Sequence, residues 1–542
     1  MDYGKSVFCC QNIEALTMKN SFTLLSLFFF VFTIQAQDPN ILWQRTIGGS
    51  GDETLYSIKQ TPDGGYIVGG ASGSDISGDK TDASNGFFDI WIVKTDADGN
   101  IEWQNSIGGN ALDDLHSIEL TPDGGFIACG ESTSDISGDK SENSRGLDDY
   151  WIVKLDASGN VEWDKTIGGS DSESFPQIRV SNDSYLISGD SWSNISGDKT
   201  ENAIGEDDYW LLKLDLSGNI IWQKTIGGSS YDSFSTMALT HDGGCILGGY
   251  SDSNISGNKT ENSKGGFDFW IVKLDSSGDI VWDKTIGGSG TDVLNSIVQT
   301  LDNGFLLSGR SSSDISGDKT ENSEGESDFW IVKLASNGTI EWQNTIGGND
   351  IDQAYSANQT SDSGYIIGGF SRSTISGDKT ENGQGNFDCW LVKINNVGII
   401  EWQNTIGGSE IDGITSVMQS SDGSYILGGN SQSNISGDKS ENSRGEQDYW
   451  IIKHAQTLGI EENPFATAIT LYPNPTKNIL QLNTQDKTID QVNIYTMTGS
   501  KVLQLDVDTI SPSIDVSSLA LGVYYVQLYS GKNVALKKFV KE

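Results

Sequence analysis

Two tryptophan series constrain this chain more than any other feature. One runs Trp43, Trp103, Trp163, Trp222, Trp282, Trp342, Trp402; the other runs Trp91, Trp151, Trp210, Trp270, Trp330, Trp390, Trp450. Every step is 60 residues except one of 59 in each series, both involving the third unit. Only Trp192 stands outside them. A period this regular means one supersecondary unit copied seven times, and such units bury a core only against their neighbours.

Each unit holds four β-type segments. In the second, Ile101–Ile107 (IEWQNSI) is followed by a Gly-Gly turn, and 116–120 is a short strand closed by Pro122-Asp123-Gly124-Gly125. Residues 126–129 are another strand, then comes the polar loop SDISGDKSENSRGLD. Residues 150–155 (YWIVKL) run into the turn Asp156-Ala157-Ser158-Gly159-Asn160. The apolar runs are too short for helices. IEWQNSI alternates and suits an outer strand, whereas YWIVKL is apolar on both faces and needs cover on both. Radial packing supplies that cover, so the expected fold is all-β, a seven-bladed β-propeller. The chain enters the array on an outer-type strand, Ile41–Ile47, and leaves it on 449–454 with no outer strand after. The spare strand is expected to close the last blade and remove the open edge. A β-solenoid would need polar caps at both ends, and neither end reads as one.

Strands in a blade alternate direction, so the long loops share one face with the Gly-Gly turns. Glu53, Asp113, Glu173, Asp232, Asp292, Asp352 and Asp412 each follow an outer-strand Trp by ten residues and should form an acidic ring on that face. Asp89, Asp149, Asp208, Asp268, Asp328, Asp388 and Asp448 each precede an inner Trp by two, where bonding to backbone at the strand corner is expected. The long loops add Asp75, Asp79 and Asp82, then Asp135, Asp139 and Glu142, and Asp314, Asp318 and Glu321. These sets have two readings. One is a calcium site in each blade, since calcium takes several loop oxygens. The other, favoured here, is side chains holding tight turns, because a Lys (Lys80, Lys140, Lys199, Lys259, Lys319, Lys379, Lys439) follows the fifth loop position every time. No cofactor beyond that calcium alternative is indicated.

Lys plus Arg number 34 against 75 Asp plus Glu, a net charge of −41. Such a charge argues against binding nucleic acid, which needs basic patches. Three His (His116, His241, His454) do not recur and complete no triad or zinc set. The blades read as close copies, and catalytic sites break scaffold symmetry, so a binding or adhesion scaffold with a glycan or protein ligand ranks ahead of a glycan-active enzyme using propeller carboxylates. The irregular third blade has a deletion near Asn182-Asp183-Ser184 and the extra Trp192, for which packing is expected over sugar stacking.

Residues 1–36 read as a leader with a secretory signal: Lys19, an apolar run over 22–34 and a cleavage site near Ala36, with Met18 as an alternative start. The run is too short for a comfortable membrane span, so no transmembrane segment is expected in the mature chain. The propeller is assigned to 37–457, a linker to 458–467, and a final domain to 468–542. That tail has only 7 Lys and 8 acids over 461–542, so nearly all the net charge belongs to the repeats. Its β patterns suggest a small Ig-like sandwich. Leu471-Tyr472-Pro473-Asn474-Pro475, Val492-Asn493-Ile494-Tyr495 with Gly499, Leu519, Gly522 with Tyr524, and Lys537-Lys538-Phe539-Val540-Lys541 resemble the type A sorting domain of the type IX secretion system, found in Bacteroidota. The resemblance implies partnership with that secretion machinery and a secreted or outer-membrane surface location, by way of the periplasm. The repeats in turn resemble sixty-residue propeller repeats of secreted bacterial proteins.

Overall fold

The computed structural model describes residues 40–456, 469–484, 487–496, 501–531 and 533–542. The expected signal peptide, the alternative start, Gly499 and the whole expected linker lie outside them. Seven four-stranded antiparallel sheets succeed one another, the blades of a propeller. The first runs from the inside outward as Glu53–Gln60, Tyr66–Ser72, Asp89–Thr95 and Ile101–Ile107. The seventh consists of Asp412–Gln419, Tyr425–Ser431, Asp448–His454 and, as its outer strand, Ile41–Ile47. The spare N-terminal strand therefore closes the last blade, and the inner strands of blades one and seven touch as the other neighbours do.

The cores lie between blades. One cluster joins Ile67, Ile90 and Ile92 of blade one to Leu115, Phe126 and Trp151 of blade two, all buried. Third strands such as DYWIVKL are buried at every position, as their two apolar faces require. Each inner Trp meets the residue that precedes the Trp of the previous blade. Trp270 lies 5.0 Å from Tyr209, Trp330 4.9 Å from Phe269 and Trp390 4.8 Å from Phe329, measured between ring centroids. Outer tryptophans reach forward instead, as Trp103 does to Phe126 at 5.9 Å. Gly159 in the turn of blade two has φ 85°, and a Cβ there would stand 2.6 Å from the Trp103 ring. Cys129, Cys245 and Cys389 are buried and free.

In the tail, Thr470–Tyr472, Ile479–Asn483 and Ser513–Asp515 form one sheet, and Lys501–Ile510, Thr488–Thr496, Gly522–Ser530 and Asn533–Lys541 form another. They share one core that includes Leu480, Ile494, Val526 and Phe539. Asn474 pins the last strand: its Oδ1 accepts the Val540 N–H at 2.9 Å and its Nδ2 donates to the Lys538 carbonyl at 3.2 Å. Tyr524 stacks on Phe539 and donates its hydroxyl to the Ala520 carbonyl. Tyr472 is exposed beside Pro473. Among the described residues no helix is long and apolar enough to cross a membrane.

Candidate functional site at the mouth of the central channel

The repeated acids stand where the topology requires, at the start of each inner strand, but they are buried. All seven (Glu53, Asp113, Glu173, Asp232, Asp292, Asp352, Asp412) are fully covered. Glu53 accepts the Gly49 N–H at 2.7 Å, the Ser72 hydroxyl at 2.8 Å and the Ser74 hydroxyl at 2.5 Å. The Asp before each inner Trp is equally buried and accepts loop amides, as Asp328 does from Glu324 at 2.6 Å. Asp268 crowds the Gly-Gly turn so closely that a Cβ at Gly287 would meet its Oδ1 at 1.7 Å. The loop Lys lies between the two acids. Lys259 is buried, donates to the Thr285 hydroxyl at 2.6 Å and sits 5.2 Å over the Trp270 ring. Burial pulls its pKa down to about 8 against the pull of Asp232 and Asp268. Burial raises both of those carboxyls.

The loop sets considered for calcium point in different directions. Asp75, Asp135 and Asp314 are exposed and offer only a backbone carbonyl to a neighbouring Ser. Asp79, Asp139 and Asp318 accept the first Gly N–H of the turn, at 3.1–3.3 Å. Glu142 and Glu321 accept outer-strand amides, and Asp82 is exposed. Among the described residues no three His, Cys, Asp or Glu side chains gather in a way that would hold a metal. The loops also carry an exposed isoleucine ring: Ile76, Ile136, Ile195, Ile255, Ile315, Ile375 and Ile435, each 58–66% accessible.

Symmetry breaks in the channel along the ring axis. The inner strands of all seven blades line a cavity of about 610 Å³, and a second of about 600 Å³ opens at the loop face. The fourth inner-strand residue varies: Tyr56, His116, Pro176, Ser235, Asn295, Tyr355, Thr415. So does the sixth residue of the second strand: Ala71, Glu131, Asp190, Tyr250, Arg310, Phe370, Asn430. Tyr recurs once in the inner-strand column, and the second-strand column has no repeat. The seventh inner-strand residue varies as well, as Lys59, Glu119, Arg179, Ala238, Val298, Asn358 and Met418. Aligning the seven units and reading the unlike columns would have found them.

On one side of the mouth Tyr56 donates weakly to Asp114 at 3.4 Å and packs against His116 at 4.8 Å with the rings tilted by 52°. His116 lies 3.6 Å from Glu131 and 5.2 Å from Phe175, which takes φ 52° in the irregular third blade. Burial lifts Asp114 to about 6 although His116 opposes it. Burial also works against the His116 imidazolium, but the carboxylates of Glu131 and Asp114 outweigh it and its pKa lies above the usual value. Glu131, for which burial is outweighed by His116, lies below its usual value. On the far side Tyr355 and Phe370 pack at 5.6 Å, and Phe370 and Phe387 at 4.9 Å. Trp192, expected to be packed, is 45% exposed and bonds Asp207. The one-residue deletion falls in the hairpin 181–184, where the Ser181 N–H reaches the Ser184 carbonyl at 2.9 Å.

The Asp114–His116 pair has a pH signature. Both groups hold a proton more tightly folded than unfolded, so they add stability as pH falls through their folded pKa values. Glu131 acts oppositely, and only below its ordinary carboxylate range. The melting temperature of the parent chain should therefore rise relative to that of D114N/H116Q as pH falls from about 8 to about 5. Parallel curves would show that the pair is not coupled as described.

Among similar proteins, Regulatory protein FlaEY of Caulobacter vibrioides is 22% identical over 346 residues, which cover 57% of this chain and 35% of that protein. The chain thus spans about a third of that relative's length. Kuenenia stuttgartiensis hydrazine synthase aligns with TM-score 0.41 and 11% identity over 69% of this chain and 92% of its own. PorZ, a surface component of the type IX secretion system of Porphyromonas gingivalis, aligns with TM-score 0.25 and 10% identity over 93% and 86%. Residues 470–542 match the secretion system C-terminal sorting domain family, so this propeller is a secreted or outer-membrane surface protein, exported by way of the periplasm and handled by the type IX machinery.

Proposed function

We propose that the propeller is a surface-displayed binding module whose ligand seats in the channel mouth, on the loop face. The observation that carries this reading is the pattern of variation. The blades keep their turns, acids and buried lysines, yet vary at inner-strand and second-strand positions, many of which line the two cavities of the channel. The variation gives the channel a different lining at each blade, so a ligand seated there meets seven distinct sides. The cavity is concave, partly aromatic and edged with amides and hydroxyls, the make-up of a small-ligand site. Tyr250, Tyr355 and Phe370 supply flat faces, and Asn295, Gln353 and Asn430 supply paired donors and acceptors. Rings with several hydroxyls match that combination, so the ligand class is a glycan. The isoleucine ring around it gives an apolar rim for a larger partner.

A glycan array probed with the chain from residue 37, followed by calorimetry on the hits, tests the proposal. Hits are expected, and F370A should weaken them by about tenfold or more while leaving the melting temperature nearly unchanged. Equal binding by F370A would remove the mouth from consideration. One observation favours an enzyme instead: Asp114 beside the mouth is a carboxylate that no other blade has at its position, Glu131 is close to it, and Asp114 is raised to about 6, as a general acid requires. Turnover of a polysaccharide that D114N abolishes would decide for that reading.

A further inference from the structure

The channel carries the wrong charge for this protein. Acids outnumber bases 75 to 34, yet neither cavity along the axis has an Asp or Glu among its lining residues. The lining holds Lys59, Arg179, His116, His241 and Arg310 instead. Most of these are already answered. Glu119 pairs with Lys59 at 2.7 Å and with Arg179 at 3.4 Å at the end away from the loops, and Glu131 faces His116.

Arg310 is different. It is the sixth residue of Phe305–Ser311, opposite Val293 on the inner strand and Phe329 on the third strand, so its sheet neighbours offer no acid. The chain has six arginines, and the other five each make a hydrogen bond or ion pair: Arg45, Arg145, Arg179, Arg372 and Arg444. Among the described residues Arg310 makes neither an ion pair nor a hydrogen bond. Its influence reaches Tyr355 on the next blade, where burial raises the phenol and the guanidinium opposes it. A half-buried guanidinium beside aromatic faces and without a carboxylate has five donors in a rigid fork to offer.

We propose that Arg310 anchors the carboxylate of a singly charged acidic sugar, a uronic acid unit, seated in the mouth. This rests on the glycan reading above and adds its charge. One fork matches one carboxylate with two parallel bonds. A phosphate ester is disfavoured because the acidic surface repels its second charge, and a sulfate ester, singly charged like a carboxylate, is disfavoured because its third oxygen finds only neutral amides there. The anchor lies three blades from the Asp114–His116–Glu131 group in a ring of seven, on the opposite side of the mouth, so the site is polarised and an acidic sugar has one favoured orientation.

Calorimetry with the chain from residue 37 provides the test, using tri-galacturonate, its methyl ester and a sulfated trisaccharide. The acid should bind about tenfold or more tightly than the ester, the gain of a bond to a charged group. R310M should remove that preference and keep ester binding, R310K should restore part of it, and added salt should weaken only the acid. Equal affinity for acid and ester, preference for the sulfated sugar, or an unchanged preference in R310M would overturn the proposal while leaving the mouth a glycan site. Failure of all three probes to bind would overturn both.

Discussion

A chain that starts at Gly48, and so lacks the outer strand Ile41–Ile47, should melt far below the chain from residue 37. That strand contributes more than one edge of hydrogen bonds to Asp448–His454. Its Gln44 accepts the Trp450 indole N–H at 3.1 Å and donates to the Asp438 carbonyl at 2.6 Å. Thr46 receives the Lys439 ammonium at 2.7 Å and gives its N–H to Glu441 at 2.9 Å. Without it Lys439 and Trp450 lose buried partners, each worth about 1–3 kcal/mol. Trp43 also leaves its place on Tyr66 of blade one, so the junction between first and last blades loosens. The ring then behaves as an open array that frays from its ends. A peptide of residues 40–47 added in trans should raise the melting temperature with its concentration, as any fold-selective ligand does. An unchanged melting temperature in the truncated chain would mean that ring closure contributes little.

The second large effect lies inside a blade. In K259M the methionine keeps the length of the side chain and loses the charge, leaving Asp232 and Asp268 buried without their cation. Breaking one partner from such a group costs about 3–5 kcal/mol. The loss also removes the cation from the Trp270 face. Adding D268N should recover part of it, and chemical denaturation of the two single variants and the double variant measures the coupling. The cost of K259M should shrink toward acid pH. Both carboxyls have raised folded pKa values, so falling pH neutralises them sooner in the fold than in the unfolded chain. A cost that is small and flat with pH would show that the lysine does not neutralise the pair.

Much of the propeller is legible from residues because the features that build it are repeated. The two tryptophan series mark the third and outer strands, and the unpaired types at either end foretell the closing strand. The inner strands are harder to read. Residues 116–120 look like a short strand, but the strand begins at Asp113, whose buried carboxylate imitates a loop acid in sequence. The same ambiguity affects the acidic ring. Spacing locates Glu53 and its equivalents but does not reveal that serine hydroxyls and a glycine N–H enclose each one. The mouth is hidden for the opposite reason. Tyr355, Arg310 and Phe370 look like drift between copies when attention rests on what repeats, and only the ring brings positions sixty residues apart to one cavity. Trp192 escapes because its neighbour Asp207 belongs to the loop that follows.

Hydrogen–deuterium exchange on the chain from residue 37, with and without a glycan bound, tests most directly where the functional site lies. Protection is expected in inner-strand segments 233–235 and 353–355 and at the end of Phe305–Ser311. The acidic loops, such as 314–321, should be unchanged. Protection confined to those loops, with the mouth segments unmoved, would contradict the assignment and return the repeated acids to the role of binding site.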